Sequence, residues 1–188
     1  MTDARTDDDL MLAYGHGDVR AFEVLYERYR QPLYRYLYHA LGNRALADDL
    51  YQDIWSRIID ARSRFRKGNG FKRFLFRIAH NRLVDHWRQL DRQRPAADHY
   101  LERLAEDDER SPEAHTRRDQ QAEQLRRALL KLPPEQRQAF LLQQEAGLSL
   151  ADIAAHDGIG RETVKSRLRY AVKRLRQLLK PEPTAAQP

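Results

Sequence analysis

The 188-residue sequence contains no cysteine. That excludes a disulfide framework, a thiol nucleophile and a thiolate metal site. Glycine and proline are scarce, eight of each, too few for a collagen-like or low-complexity chain. No apolar run approaches the ~20 residues needed to span a bilayer, and mean hydropathy is −0.85. The opening residues Met1 to Asp9 are polar and acidic, unlike a secretory or transit leader. Together with the missing cysteine, they set the expectation of a cytoplasmic protein. Catalytic signatures are missing as well. His80, His86 and His156 form no i,i+4 ligand pair and no His-Glu-x-x-His motif. The steps Gly15-His16-Gly17, Gly68-Asn69-Gly70 and Gly158-Ile159-Gly160 lack the later residues of a phosphate loop. The expectation is a binding protein rather than an enzyme, with no cofactor and no metal.

Charge is abundant, at 33% of residues, and it is zoned. Residues 1–60 carry a net −4, residues 61–94 a net +9, residues 95–120 a net −4 and residues 121–188 a net +5. Two basic blocks, each beside an acidic one, suit two separate contacts with a polyanion. A uniformly basic chain would instead suggest a nonspecific coat.

Ala, Leu, Arg, Glu and Gln dominate, and no segment sustains period-two alternation, so the expected fold class is all-α. Asp9 to Gly15 reads as a short helix. Asp18 can cap a second, whose Ala21, Phe22, Leu25, Tyr26 and Tyr29 recur at three- and four-residue steps. The period continues past Pro32 to a stop at Gly42-Asn43. A third helix is expected from Arg44 to Ile59, and a fourth from Phe71 to Arg88. From Asp91 to Gln120 apolar residues are too sparse for a core, and an acidic flexible linker is expected. Periodicity returns with Leu125 and Leu129, pauses at Leu132-Pro133-Pro134 and restarts at Glu135. The expected layout is two small helical domains, 1–92 and 121–180, joined by a flexible linker over 93–120, with a disordered tail over 181–188.

The segment Leu148 to Leu168 has the pattern of a helix-turn-helix. Ser149 can cap the first helix, and Ala154 is small where two helices must cross closely. Gly158 falls where the turn needs positive φ. Ile159 and Val164 supply apolar packing. Arg161, Glu162, Thr163, Lys165, Ser166, Arg167 and Arg169 then face solvent as groups suited to base edges and phosphates. A basic helical hairpin with a merely solvated face has the same spacing. Asp157 is irregular, since an apolar residue commonly precedes the turn glycine. It is expected to cap the helix or face solvent.

Between Ser63 and Arg88, aromatic residues interleave with Arg and Lys. Rings among cations suit unpaired bases, which stack while the cations hold the backbone. The Gly68-Asn69-Gly70 loop could receive a base taken out of the stack. An amphipathic helix with an aromatic core face explains the same residues, and spacing alone leaves both readings open.

These segments resemble the extracytoplasmic-function (group IV) sigma factors of bacterial RNA polymerase. Ala47-Asp48-Asp49-Leu50-Tyr51-Gln52-Asp53-Ile54-Trp55 is similar to region 2.2 of that family, and Phe74 to Arg88 to regions 2.3 and 2.4. Leu132-Pro133-Pro134-Glu135-Gln136-Arg137 with Phe140-Leu141-Leu142 resembles region 4.1, and Thr163 to Leu168 closes region 4.2. The resemblance implies a promoter-specificity subunit. Asp49, Leu50, Gln52, Asp53, Trp55 and Ser56 would dock on the β′ clamp helices of core RNA polymerase. Arg66, Lys67, Asn69, Phe71, Arg73, Arg77, His80, Asn81 and His86 would meet the melting minus-ten element. Arg161, Glu162, Thr163, Lys165, Ser166, Arg167, Arg169 and Lys173 would read duplex minus-thirty-five DNA, while the second domain touches the β flap. An anti-sigma factor is a further possible partner, and no membrane insertion is implied. His80 and the Gly160-Arg161-Glu162 run depart from common family patterns, leaving the promoter sequence open. The competing class is a helix-turn-helix repressor or activator acting on duplex DNA alone. It gives no reason for an acidic helix followed by an aromatic, basic one.

Overall fold

The computed structural model describes residues 3–92 and 117–180. The expected tether over 93–116 and the tail over 181–188 lie outside the described residues. Helix boundaries follow local side-chain chemistry. α1 (Asp7–Gly15) starts at Thr6, whose hydroxyl accepts from the Asp9 amide. α2 (Val19–Leu41) is capped by Asp18, which accepts from the Ala21 amide, and ends at Gly42 with φ +69°. Pro32 lies inside α2; it removes one backbone donor without ending the helix. α3 (Arg44–Asp60) is capped by Asn43. A single 3-10 turn, Arg62–Arg64, leads into a loop and then α4 (Phe71–Arg92). The second half holds α5 (Arg117–Leu130), α6 (Pro134–Gln144), α7 (Leu150–Asp157) and α8 (Arg161–Leu178). α5 thus begins inside the stretch expected as linker.

All regular structure among the described residues is helical, as the missing period-two pattern implied. α1 to α4 form a first bundle around buried Leu10, Leu25, Leu33, Leu37, Ile54 and Phe76. α6 and α7 pack on α8 around Leu141, Leu142, Ile153, Val164 and Ala171. Burial of each of these Leu, Ile, Val and Phe side chains contributes about 1.5–3 kcal/mol, and this fixes which face of each helix turns inward.

The sequence left the relative placement of the two bundles open. The structure docks them, with α2 packed against α5 and α6. Arg126 is 1% exposed, and its Nη1 donates to the Gly42 carbonyl at 2.7 Å. Its Nε and Nη2 donate to Glu123 at 2.7 and 2.6 Å. Gly42 is required twice over. Its φ is left-handed, and a Cβ there would stand 2.5 Å from Leu130 Cδ1 and 3.1 Å from Arg126 Nη1. Beside this contact, Glu145 accepts from Arg35 Nε at 2.7 Å and pairs with His39 Nδ1 at 3.0 Å. The two bundles therefore touch through named side chains of both.

Glu145 yields a prediction. Burial alone would raise its pKa, but hydrogen bonds from His39 and Arg35 outweigh that and hold it below the ordinary value. A carboxyl with a depressed folded-state pKa adds stability above its unfolded pKa and loses it as pH falls through the folded one. Acidification below about pH 4.5 should therefore weaken docking. Glu145→Gln should weaken docking at neutral pH and flatten its acid dependence, read by small-angle scattering across a pH series.

Candidate nucleic-acid and partner interfaces

The loop before α4 is held open by a residue from the far end of the bundle. Gly68 and Gly70 have φ of +90° and +73°, which glycine adopts at little cost. Three backbone donors then converge on the Asp8 carboxylate: the amides of Gly68 at 2.9 Å, Gly70 at 3.3 Å and Phe71 at 2.7 Å. Asp8 thereby caps α4 from α1. Lys67 pairs with Asp9 at 2.8 Å, and Arg66 and Asn69 are exposed. Arg73 braces the loop from inside α4. Its Nε donates to the Asn69 carbonyl at 2.9 Å and its Nη2 to the Gly68 carbonyl at 3.0 Å.

A cavity of about 270 Å³ opens beside this loop, lined by Gly68, Arg73, Phe74, Arg77, Asp152 and His156 among others. One wall is the loop and the other is α7. Arg73 crosses to the second domain, with Nη1 3.2 Å from Asp152. Next along α4, His80 packs against His156 with ring centroids 4.6 Å apart and is touched by the Gln138 amide. Burial, and next the neighbouring His156, pull the His80 pKa down to about 4. Docking therefore engages Arg73 and His80, while Arg77 and Asn81 stay exposed.

Several residues expected as contacts lie in the core of the free chain. Phe71 is 1% exposed, wedged against Tyr29 and Phe65. It cannot stack on a base here, because the aromatic-rich helix turns that ring inward. Leu50 and Trp55 are also buried. Trp55 meets Phe22 edge-to-face at 5.7 Å and Tyr26 at 5.0 Å. Both support the α3 surface from behind rather than forming it. His86 is half-buried; burial, then Arg82, lowers its pKa. Asp157 neither caps its helix nor faces solvent: its side chain is 9% exposed and pairs with His156 and Arg167.

On α3, Asp49, Gln52 and Ser56 are exposed. Asp53 binds both Arg57, at 2.9 Å, and Arg82. Burial opposes ionisation of Asp53, yet the two arginines together lower its pKa. Beside this acidic face lies a cleft of about 450 Å³ between α2 and α3, lined by Tyr26, Arg30, Tyr34, Asp48 and Tyr51 among others. Its half-buried tyrosines were not expected as contact residues. Tyr34 and Tyr51 meet edge-to-face at 5.8 Å, an amphipathic surface of the kind interfaces favour.

The helix-turn-helix forms as its spacing indicates. Ser149 and Asp152 make a reciprocal capping box, and Gly158 ends α7 with φ +67°. Ala154 and Val164 are buried where α7 meets α8, and Ile159 is half-buried against the core. Arg161, Glu162, Thr163, Lys165, Arg169 and Lys173 are exposed on α8. Ser166 is half-buried, as is Arg167, whose Nη1 lies 3.4 Å from Asp157. Lys165, Arg169, Lys173 and Arg176 line one concave groove of about 610 Å³, a cationic track along α8.

Comparison with known proteins agrees with this arrangement. A family model described as Sigma-70 region 2 matches residues 25–93, and one described as Sigma-70, region 4 matches residues 122–175. The chain is 33% identical over 175 residues to the ECF RNA polymerase sigma factor SigM of Mycobacterium tuberculosis, covering 93% of this chain and 85% of SigM. It is 31% identical over 165 residues to the ECF RNA polymerase sigma factor BldN of Streptomyces coelicolor, covering 87% of this chain but 62% of BldN. Its fold is similar to that of CnrH, solved in complex with the cytosolic domain of CnrY. The TM-score is 0.65 at 26% identity, covering 92% of this chain and 96% of CnrH.

Proposed function

Because this chain belongs to the extracytoplasmic-function branch of the sigma-70 family of RNA polymerase sigma factors, we infer that it docks on core polymerase and presents promoter DNA through two surfaces. The observation that carries this reading is the pairing of two unlike cationic sites. One is a glycine loop with an adjoining cavity, bordered by Arg73 and Arg77. The other is a helix-turn-helix whose second helix exposes Arg161, Lys165 and Arg169. A loop and cavity suit an extruded base of the minus-ten element, whereas an exposed helix suits the major groove of duplex minus-thirty-five DNA.

The exposed acidic face of α3, with the tyrosine cleft beside it, is the proposed polymerase contact. Asp49, Gln52 and Ser56 would meet the β′ clamp helices, with Leu50 and Trp55 as their support. The second domain would reach the β flap. The chain makes and breaks no bond in this role; it positions DNA for the polymerase. No helix among the described residues is long and apolar enough to cross a membrane, and the cytoplasm is the proposed location. A captor protein of the anti-sigma kind is proposed by analogy with the CnrH–CnrY complex. A repressor acting alone on duplex DNA is not favoured, since both halves match sigma models.

Closed docking gives a physical reason for weak DNA binding by the free protein, since Arg73 and His80 are engaged with the second domain. The deciding experiment is transcription in vitro with core polymerase on genomic fragments, with start sites mapped. Discrete starts that require the protein are expected; repression without new starts would refute the reading. Arg167→Ala should lower affinity for duplex minus-thirty-five DNA tenfold to a hundredfold, the scale of one base-reading contact at about 1–3 kcal/mol. It should also relax sequence preference at one position, measured by binding to a panel of single-base variants. A phosphate-contacting residue would instead weaken all sequences alike and reduce the salt slope.

A further inference from the structure

His80 and His156 lie far apart in sequence and on different domains, yet closure brings them together. One donor atom each from His80, His156 and the Asp157 carboxylate all fall within 4.8 Å of one another. The His156 side chain is 5% exposed. Its Nδ1 bonds to Asp157 Oδ1 at 2.8 Å. An ionised carboxylate can only accept, so the proton of this bond sits on Nδ1, and in the neutral ring Nε2 is the nitrogen with the lone pair. That Nε2 is buried and has no hydrogen-bond partner. A buried acceptor left unpaired is costly, and an ion would satisfy it.

We propose that His80 and His156 bind a divalent transition-metal ion of the zinc class across the domain boundary, with Asp157 holding the His156 ring in the ligating tautomer. A metal-bound histidine commonly donates its other nitrogen's proton to a carboxylate, which orients the ring and raises its basicity. Imidazole suits zinc, nickel and copper, whereas magnesium and calcium prefer oxygen donors. With metal–nitrogen bonds of about 2.1 Å, two nitrogens on one ion stand no more than about 4.2 Å apart. Since donor atoms of the three residues already lie within 4.8 Å of one another, a ring adjustment that turns His156 Nε2 toward His80 brings the pair into range, and water completes the coordination. The orphaned nitrogen is on α7 and its partner on α4, so only the closed arrangement offers both. The ion then stabilises closure by mass action. If His80 also serves the minus-ten element as proposed above, bound metal withholds it from DNA. Metal binding itself does not depend on that role.

The test is titration of the full chain with Co2+, read by visible d–d absorption, followed by competition with Zn2+. The expected result is saturable binding of one equivalent that Zn2+ displaces. His80→Gln and His156→Gln should each weaken it at least tenfold, and Asp157→Asn about tenfold or more. Zn2+ should raise the thermal midpoint of the native sequence and leave that of His156→Gln unchanged. Far-UV circular dichroism checks that each variant remains helical, and Asp157→Asn serves as the readout should a histidine variant unfold. Absence of saturable binding, or binding unchanged across the folded variants, overturns the proposal.

Discussion

Replacing Arg126 with alanine should release the second domain from α2 and lower the stability of the docked form by about 2–3 kcal/mol. The guanidinium is 1% exposed, and Nη1 donates to the Gly42 carbonyl at 2.7 Å. Alanine would leave that carbonyl buried without this donor. Glu123 is less affected, since Arg127 Nε also donates to it at 2.6 Å. The loss therefore comes mainly from the carbonyl and from packing over Tyr38, whose ring lies 5.9 Å from the guanidinium. Arg126→Lys should recover only part of it, because an ammonium cannot reproduce the planar fork. Chemical denaturation followed by scattering should show an expanded form before the helices melt. Because docking ties Arg73 to Asp152 and packs His80 on His156, the variant should also bind a promoter fragment more tightly than the native chain. A single unchanged transition would show that docking rests elsewhere.

What the sequence made legible were features carried by neighbours a few residues apart. Asp18 and Ser149 cap the helices they precede, and Gly42 and Gly158 end them. Each effect acts within one helical turn, so a short window contains its cause. The helix-turn-helix is legible for the same reason, because Ala154, Gly158 and Val164 fix it locally. Expectations failed where a segment offered more rings than one face can take. Between Phe65 and Phe76, aromatic residues fall on several sides of the chain, and period alone did not show that Phe71 turns inward. Trp55 misled in the same way, since the acidic residues around it mark a surface while the ring itself points into the bundle.

Long-range pairings left no trace in any window. Arg126 with Gly42, Glu145 with Arg35, and His80 with His156 join helices whose order in the chain does not announce their contact. One signal was nevertheless present. Asp157 breaks the turn pattern, where an apolar residue is usual before the glycine. It pairs with Arg167 of the following helix. A charged residue at a position whose local context favours another type marks an interaction made elsewhere in the fold. That is where local and global preferences part.

Asp8→Ala should destabilise the first bundle by about 2 kcal/mol, with the loss centred on the loop rather than the core. The run Asp7-Asp8-Asp9 is one acid longer than the start of α1 and its neighbours would seem to need. Asp9 completes the Thr6 cap, and Asp7 binds Arg28 at 2.6 Å. Asp8 is left to accept from Gly68, Gly70 and Phe71. Hydrogen bonds to a charged acceptor contribute about 1.5–3 kcal/mol where they are buried. Gly68 is exposed, so water replaces part of the loss, and the remainder resembles removal of a helix cap, about 1–2 kcal/mol. Both glycines have left-handed φ, and the remaining bonds from Arg73 and Phe74 hold only carbonyls of the loop, so hydrogen exchange at the amides of residues 68–71 should accelerate most. Loss of this order should be visible in promoter opening before it is visible in polymerase binding, because the α3 face does not touch Asp8. Permanganate footprinting of the holoenzyme would then show fewer melted complexes at equal occupancy. Asp8→Asn, which keeps one acceptor and removes the charge, should fall between the native protein and the alanine variant. Equal exchange rates across the loop in all three would mean that the glycine backbone holds its shape without the carboxylate.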